Sequence, residues 1–255
     1  MIRNQFYTPF DLAIITPTKN RPLHIQRLLT SIINLDCAVG RIIIVSTGED
    51  LTDIIKPFLK DLNNISYIAS EPGQIFQRNR GIELLDESTK LVATLDDDVV
   101  LSNDCVSKII EFLNSAPPDT AGVGFNISNH PSHKSSSFQN LIGLNSPYSG
   151  RVLKSGINTA ITNIDVSIET QWLNGGATVW KQKILKSYKH FEINSRWAIC
   201  EDLIYSYPLG KLYPLYVCSD AKISCDLPSH QNSHSILFQR SLTLVLWHFY
   251  FVSQN

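Results

Sequence analysis

The chain has 255 residues, 43 % of them hydrophobic and 18 % charged, a balance that supports a packed globule and leaves little for disorder. Its formal net charge of −1 supplies no positive field, so a nucleic-acid partner is not expected. Five cysteines, an odd count without a C-x-x-C pair, argue against a disulfide scaffold and for a reducing cytoplasm.

Residues 12–16 (LAIIT) read as a short buried strand that runs into a Pro-containing loop. Residues 22–34 carry the apolar stripe Leu23, Ile25, Leu28, Leu29, Ile32 and Ile33, the mark of an amphipathic helix. A second buried strand covers 41–46 (RIIIVS), and residues 50–62 are helical, with Pro57 expected to kink or split them. A third strand spans 65–69, and a third helix spans 74–85 just after Pro72-Gly73. A fourth strand, KLVATL at 90–95, runs straight into Asp96-Asp97-Asp98. This alternation predicts right-handed βαβ units in an α/β fold, with a mostly parallel sheet and helices on both faces. Ligands bind beyond the carboxyl ends of such strands, which selects the loops 16–21, 46–50, 70–74 and 96–98.

Beyond Asp98 the pattern loosens. A helix over 103–114 is expected to be capped by Ser102 or Asn103, followed by a strand at 123–127. The polar stretch 128–155 reads as a long loop of functional length. Residues 172–180 contain Gly175-Gly176, a helix from 201 should stop at Pro208, and 215–217 is a strand. No internal repeat or interdomain linker stands out. The N-terminus lacks the apolar core of a signal peptide, and no apolar run reaches the ~18 residues that span a bilayer. The nearest, 242–252, reads first as a buried terminal helix. Its Trp247, Phe249, Tyr250 and Phe251 make membrane contact the second reading.

Three adjacent carboxylates repel one another, and a divalent cation relieves that repulsion. Mg²⁺ or Mn²⁺ is commonly held by one or two carboxylates together with substrate phosphates. A solvated acidic turn or a helix cap is the competing reading, and placement at a strand's carboxyl end favours the ligand.

In order along the chain stand LAIITPTKNRP, IIIVSTGED, GQIFQRNRG, LVATLDDDV, WLNGGATVW and CEDLIYSYPLGK. With these motifs the chain resembles family 2 glycosyltransferases over roughly residues 10–225. The resemblance implies the GT-A fold, a Rossmann-like sheet with a smaller mixed acceptor part, here 10–100 for the nucleotide sugar and 101–225 for the acceptor. Residues 226–255 form a C-terminal extension. It implies that Thr16, Pro17, Thr18 and Arg21 lie in the first nucleotide loop and Glu49 in the second. There Ser46 replaces the family's usual aspartate. Arg78 and Asn79 match an Ala-Arg-Asn segment whose alanine is replaced by Gln77, and Arg78 suits a donor diphosphate because guanidinium binds phosphate in bidentate fashion. A surface-helix arginine is the alternative. Asp96 and Asp98 match the DxD motif, with Asp98 the expected metal ligand, Asp96 facing the nucleotide and Asp97 able to share either task. Asp202 matches the catalytic base of the ED motif, needed because an acceptor hydroxyl attacks poorly until its proton is taken. Glu201, Trp172, Gly175 and Gly176 are expected to face the acceptor, with a core tryptophan beside an ordinary turn as the alternative. The family's further metal ligand would fall to Cys225, Asp226 or His230. A zinc site from Cys218, Cys225, His230 and His234 is disfavoured by its spacing.

The resulting expectation is an inverting transfer from a UDP-, GDP- or similar nucleotide sugar to a glycan or lipid-linked hydroxyl, with Mn²⁺ or Mg²⁺ as cofactor. It would serve surface polysaccharide assembly in the cytoplasm or peripherally at the membrane through the C-terminal helix. The alternatives are a catalytically inactive glycan- or partner-binding domain, and a sugar-nucleotide nucleotidyltransferase. The latter would need a glycine-rich phosphate loop that TPTKNRP lacks.

Overall fold

The computed structural model describes residues 6–192, 199–226 and 234–255. Its first half follows the expected alternation: β1 (Leu12–Lys19), α1 (Pro22–Ile33), β2 (Arg41–Thr47), α2 (Thr52–Ile55), β3 (Ile65–Ala69), α3 (Gln74–Glu83) and β4 (Leu91–Leu95). The helix expected over 50–62 is split, α2 giving way to a 3₁₀ segment Lys56–Lys60 with Pro57 at its start. The second half comprises β5 (Val100–Leu101), α4 (Cys105–Ser115), β6 (Gly122–Ile127), α5 (Ser137–Leu141), β7 (Ile168–Thr170) and β8 (Ala177–Lys181). It ends with α6 (Gln182–Ser187), α7 (Glu201–Gly210), β9 (Leu215–Ser224) and α8 (His234–Gln254).

The strands join one sheet in the order β3-β2-β1-β4-β8-β6-β9-β5, with β7 on β9. Pairing is parallel through β3-β2-β1-β4. Beyond β4 the sheet is mixed: β8 runs antiparallel to β4 and β6, while β6 and β9 are parallel. Successive residues of β1 feed opposite faces. Ile14 joins a core with Leu28, Ile42 and Ile109, and Ile15 joins one with Ile43, Trp172 and Trp180. A strand covered on both faces must be apolar at every position, which is why its sequence is continuous rather than alternating.

β1 outruns its expected end by three residues. Its ladder with β4 stops at Ile15↔Thr94, while that with β2 continues to Lys19↔Thr47. Pro17 sits in the part that has lost one neighbour, where a residue without N–H is tolerated. The parting of β1 from β4 opens a crevice at their carboxyl ends.

Three local expectations are corrected. The N-cap of α4 is Asp104, not Ser102 or Asn103. α7 runs through Pro208 to Gly210. The long loop contains the short helix α5. The buried reading of 242–252 also fails over most of its length: Phe251 is buried, while Leu242, Val245, Leu246 and Phe249 are exposed. Among the described residues, no helix is long and apolar enough to cross a membrane.

Candidate active site

The crevice beyond β1 and β4 is a cleft of about 550 Å³, walled by Pro17, Thr18 and Lys19 at the end of β1, Arg21 in the turn after it, and Pro72, Gly73, Gln74 and Gln77 at the start of α3. All three aspartates face it. The triplet divides its labour. Asp97 is buried, accepting a hydrogen bond from Thr18 Oγ1 at 2.6 Å and from Arg21 Nη1 at 2.6 Å. These bonds give Asp97 a fastening role between the end of β1, the turn after it and the end of β4, while it still lines the cleft. Asp96 is more open and receives Gln74 Nε2 at 2.8 Å and Arg78 Nη2 at 3.4 Å. Asp98 is half-buried, and burial followed by the charges of Asp96 and Asp97 pushes its proton affinity up to about 6. That excess of negative charge at an oxygen-only donor set fits a hard divalent cation. Among the described residues no three His, Cys, Asp or Glu side chains converge as a complete metal cage.

Thr16 is fully buried and cannot reach a base, a correction that follows from the inner position of β1. Glu49 is exposed and does not line the cleft, its backbone N–H donating to Asn20 Oδ1 at 2.9 Å. Gln77, the departure from alanine, has a structural cause: its amide donates to Thr18 O at 2.8 Å and Val45 O at 2.7 Å, tying the ends of β1 and β2 together. Lys19 and Gln74 were not singled out from the sequence. Their signal was available only as position, since both fall in the loops selected by strand ends.

Arg78 is neither a surface arginine nor free for phosphate. It is 0 % exposed, its Nη1 donating to Glu201 Oε1 at 2.8 Å while Nη2 faces Asp96. Glu201 is likewise mostly buried, with its carboxylate committed to Arg78. The two glycines explain how these groups meet. A Cβ at Gly176 would overlap the Asp96 carboxylate, and one at Gly175 would overlap Glu201 Oε1. The close approach that glycine permits here is to the protein's own carboxylates rather than to a ligand. Trp172 is corrected as well: it is buried in the core, with Nε1 donating to Thr159 O at 3.2 Å.

Asp202 occupies the first turn of α7, where a carboxylate meets the positive end of the helix dipole. Burial and then the Glu201 charge push it up to about 7, against the Leu203 N–H and Arg78, which pull it down. It borders neither the aspartate cleft nor a second, more apolar cavity of about 370 Å³ on the other side of Glu201. In that cavity His190 stacks on Tyr205 at 3.6 Å and 15°, and burial with nearby Arg78 holds its proton affinity well below the usual value. Asp202 is tied to the cleft through Glu201, Arg78 and Asp96. Of the further-ligand candidates, Asp226 is gripped by Arg27 Nη2 at 2.7 Å and His24 at 3.0 Å. Cys225 is half-buried with its thiol pushed up to about 12. His230 lies outside the described residues. Cys218 of the zinc alternative packs in the core.

The sequence profile of "Glycosyl transferase family 2" matches residues 13–165, more than half of the chain. The chain belongs to glycosyl transferase family 2. No curated protein sequence matches this glycosyltransferase. Its fold is that of solved GT-A enzymes. The mannosyltransferase PcManGT from Pyrobaculum calidifontis, in complex with GDP-Man and Mn²⁺, is similar at a TM-score of 0.62 and 14 % identity, over 98 % of this chain and 65 % of that one. S. aureus TarS is similar at 0.57 and 15 % over 85 % of this chain and 36 % of that one. TarS 1-349 with UDP-GlcNAc is similar at 0.57 and 16 %, over 86 % and 60 %. The chain thus spans less than two thirds of each of these proteins. The profile match ends at residue 165, and α7 with Asp202 lies beyond it.

Proposed function

We propose that this glycosyltransferase moves a sugar from a nucleoside-diphosphate sugar to a hydroxyl of a glycan or lipid-linked acceptor, with inversion at the anomeric carbon. The observation that carries the reading is the ion-paired chain Asp96–Arg78–Glu201, which couples the aspartate cleft to the helix turn holding a carboxylate of raised proton affinity. The donor's nucleotide is taken by the cleft lined by Pro17, Thr18, Lys19 and Gln74, with Asp96 toward the ribose. Asp98, with Asp96 beside it, would hold Mn²⁺ or Mg²⁺, which supplies charge neutralisation to the departing diphosphate.

Asp202 accepts the proton of the acceptor hydroxyl. The new C–O bond forms as the bond from the anomeric carbon to the phosphate oxygen breaks, and the diphosphate leaves with that electron pair. A base whose proton affinity lies near the working pH is matched to this task. Arg78 and Glu201 position the two carboxylates and touch neither reactant. A neutral His190 and Tyr205 border the second cavity, on the acceptor half. The enzyme works at the cytoplasmic side of a membrane in assembly of surface glycans.

Incubation with UDP-, GDP- and CMP-sugars plus Mn²⁺, with product stereochemistry read by NMR, tests this. Donor turnover with an inverted product is expected. Glycan binding without nucleotide binding would support an inactive domain instead, and a retained configuration would remove Asp202 as base.

A further inference from the structure

Carboxylates are absent from two long stretches of this chain. Residues 120–164 hold Lys134, Arg151 and Lys154 and residues 227–255 hold Arg240, with none of the 23 Asp and Glu. Both stretches are rich in exposed apolar side chains. On α5 and the turn after it, Phe138 is 69 % and Leu141 84 % exposed, followed by Ile142 and Leu144. Along α8, Phe238, Leu242, Val245 and Phe249 recur at spacings of four, three and four, with Phe238 70 % and Phe249 75 % exposed.

The fold puts the two on one flank. The turn at residues 153–156 joins them: Ser155 Oγ donates to Gly143 O at 3.2 Å just beyond α5, and Gly156, at φ 82°, packs so closely on Val252 of α8 that a Cβ would overlap it. Phe138, Phe238 and Phe249 alone present about 400 Å² of apolar surface at ~200 Å² per ring, already within the range of the largest patch on an ordinary monomer before any leucine is counted. Lys134, Arg151, Lys154 and Arg240, from the same two stretches of chain, are all exposed.

We infer that the flank built from α5, the 153–156 turn and α8 docks on a membrane surface bearing anionic lipid. Rings and aliphatic side chains enter the headgroup–acyl boundary while the lysines and arginines meet lipid phosphates. A second copy of the chain fits less well. A paired helix would cover one seam, yet Leu244 and Leu246 are exposed on either side of the Phe238–Phe249 line. A two-fold contact through this flank would also bring an acid-free cationic surface against itself, which is costly. The contact has a bearing on the transferase site: His248 of α8 lies 3.3 Å from the Cys200 sulfur, one residue before Glu201-Asp202.

The test is flotation of the full chain with phosphatidylcholine vesicles, with and without phosphatidylglycerol. The wild type should bind the anionic vesicles, and added salt should weaken it. The double variant L242D/F249D should lose binding about a hundredfold, the effect of withdrawing two apolar side chains, and F138D/L141D on the other segment should also lose it. K134E/K154E should weaken anionic binding by at least about thirtyfold, at ~1 kcal/mol per lysine removed. All the replaced side chains are exposed, so unfolding temperature and nucleotide binding should stay at wild-type values, which separates this inference from the transferase reading. Absence of vesicle binding, binding unchanged in the apolar variants, or a concentration-dependent dimer dissolved by L242D/F249D without lipid affinity would overturn it.

Discussion

Replacing Arg78 with methionine isolates the contact on which both halves of the site depend. The guanidinium is fully enclosed and faces Glu201 at 2.8 Å and Asp96 at 3.4 Å. Methionine fills most of the volume but leaves Glu201, a buried carboxylate beside Gly175, with only the His190 ring, 4.0 Å from its Oε2, as a basic neighbour among the described residues. Removing one member of a buried pair costs ~3–5 kcal/mol, a large part of the ~5–15 kcal/mol that holds a domain folded. At ~2–4 °C per kcal/mol for a chain near this size, the unfolding temperature should fall by roughly 6–20 °C. The double variant R78M/E201L removes both charges, and such apolar replacements are commonly near neutral. It should therefore recover most of the loss, with a coupling of ~2 kcal/mol or more in the double-mutant cycle. Calorimetry on the four proteins reads this directly. An R78M protein that unfolds at the wild-type temperature, or a cycle that closes with no coupling, would refute the claim that Arg78 neutralises Glu201.

Asp202→Asn should abolish transfer while leaving nucleotide binding intact, and near wild-type turnover would remove Asp202 as the base. In the wild type the acid limb of kcat/KM should titrate near 7. Because the folded-state affinity of Asp202 is raised, the folded protein holds a proton between about pH 4 and 7 that the unfolded chain has lost, so this group's contribution to stability falls as pH rises through that window. D202N should accordingly gain stability relative to wild type at pH 8 compared with pH 5, on the order of 2 kcal/mol, measured by urea unfolding at the two pH values. Asp98→Ala should weaken Mn²⁺-dependent nucleotide binding by calorimetric titration and leave metal-free binding little changed. Gly176→Ala places a methyl group into the Asp96 carboxylate and should lower stability by ~1–3 kcal/mol, together with loss of donor affinity. Wild-type values for both would show that Asp96 can move aside.

β1, β2 and β4 were legible because each is buried on both faces and so reads as an uninterrupted apolar run between polar loops, while β3, half-buried at the sheet edge, showed itself only by its short apolar run. Of the second half, 123–127 and 215–217 were legible as parts of β6 and β9, but β5, β7 and β8 were not. β5 and β7 are two and three residues long, too short for any periodicity. The end of β1 was missed because Pro17 looks like a strand terminator, and only the early departure of β4 makes a proline acceptable there. Asp96–Asp98 was legible from its three adjacent charges together with their place at the carboxyl end of a buried strand. The pairing of Arg78 with Glu201 was not, since they lie 123 residues apart and neither carries a local sign of burial. Trp172 looked like an acceptor ligand because residue type and motif position say nothing about which way a side chain faces. The same ambiguity governs α8, where an apolar run fits a core and a bilayer equally well until the neighbouring elements are in place.

Asp97 offers a way to read other chains of this family. Its carboxylate is held by Thr18 and Arg21, so the middle letter of the acidic motif is specified by the loop after the first strand rather than by the donor. The three positions should vary as a set. Where the middle residue is acidic, a hydroxyl and a cation are expected two and five residues after the counterpart of Thr16. Where it is neutral, that pair should disappear together, while the outer two aspartates remain free to follow the sugar nucleotide.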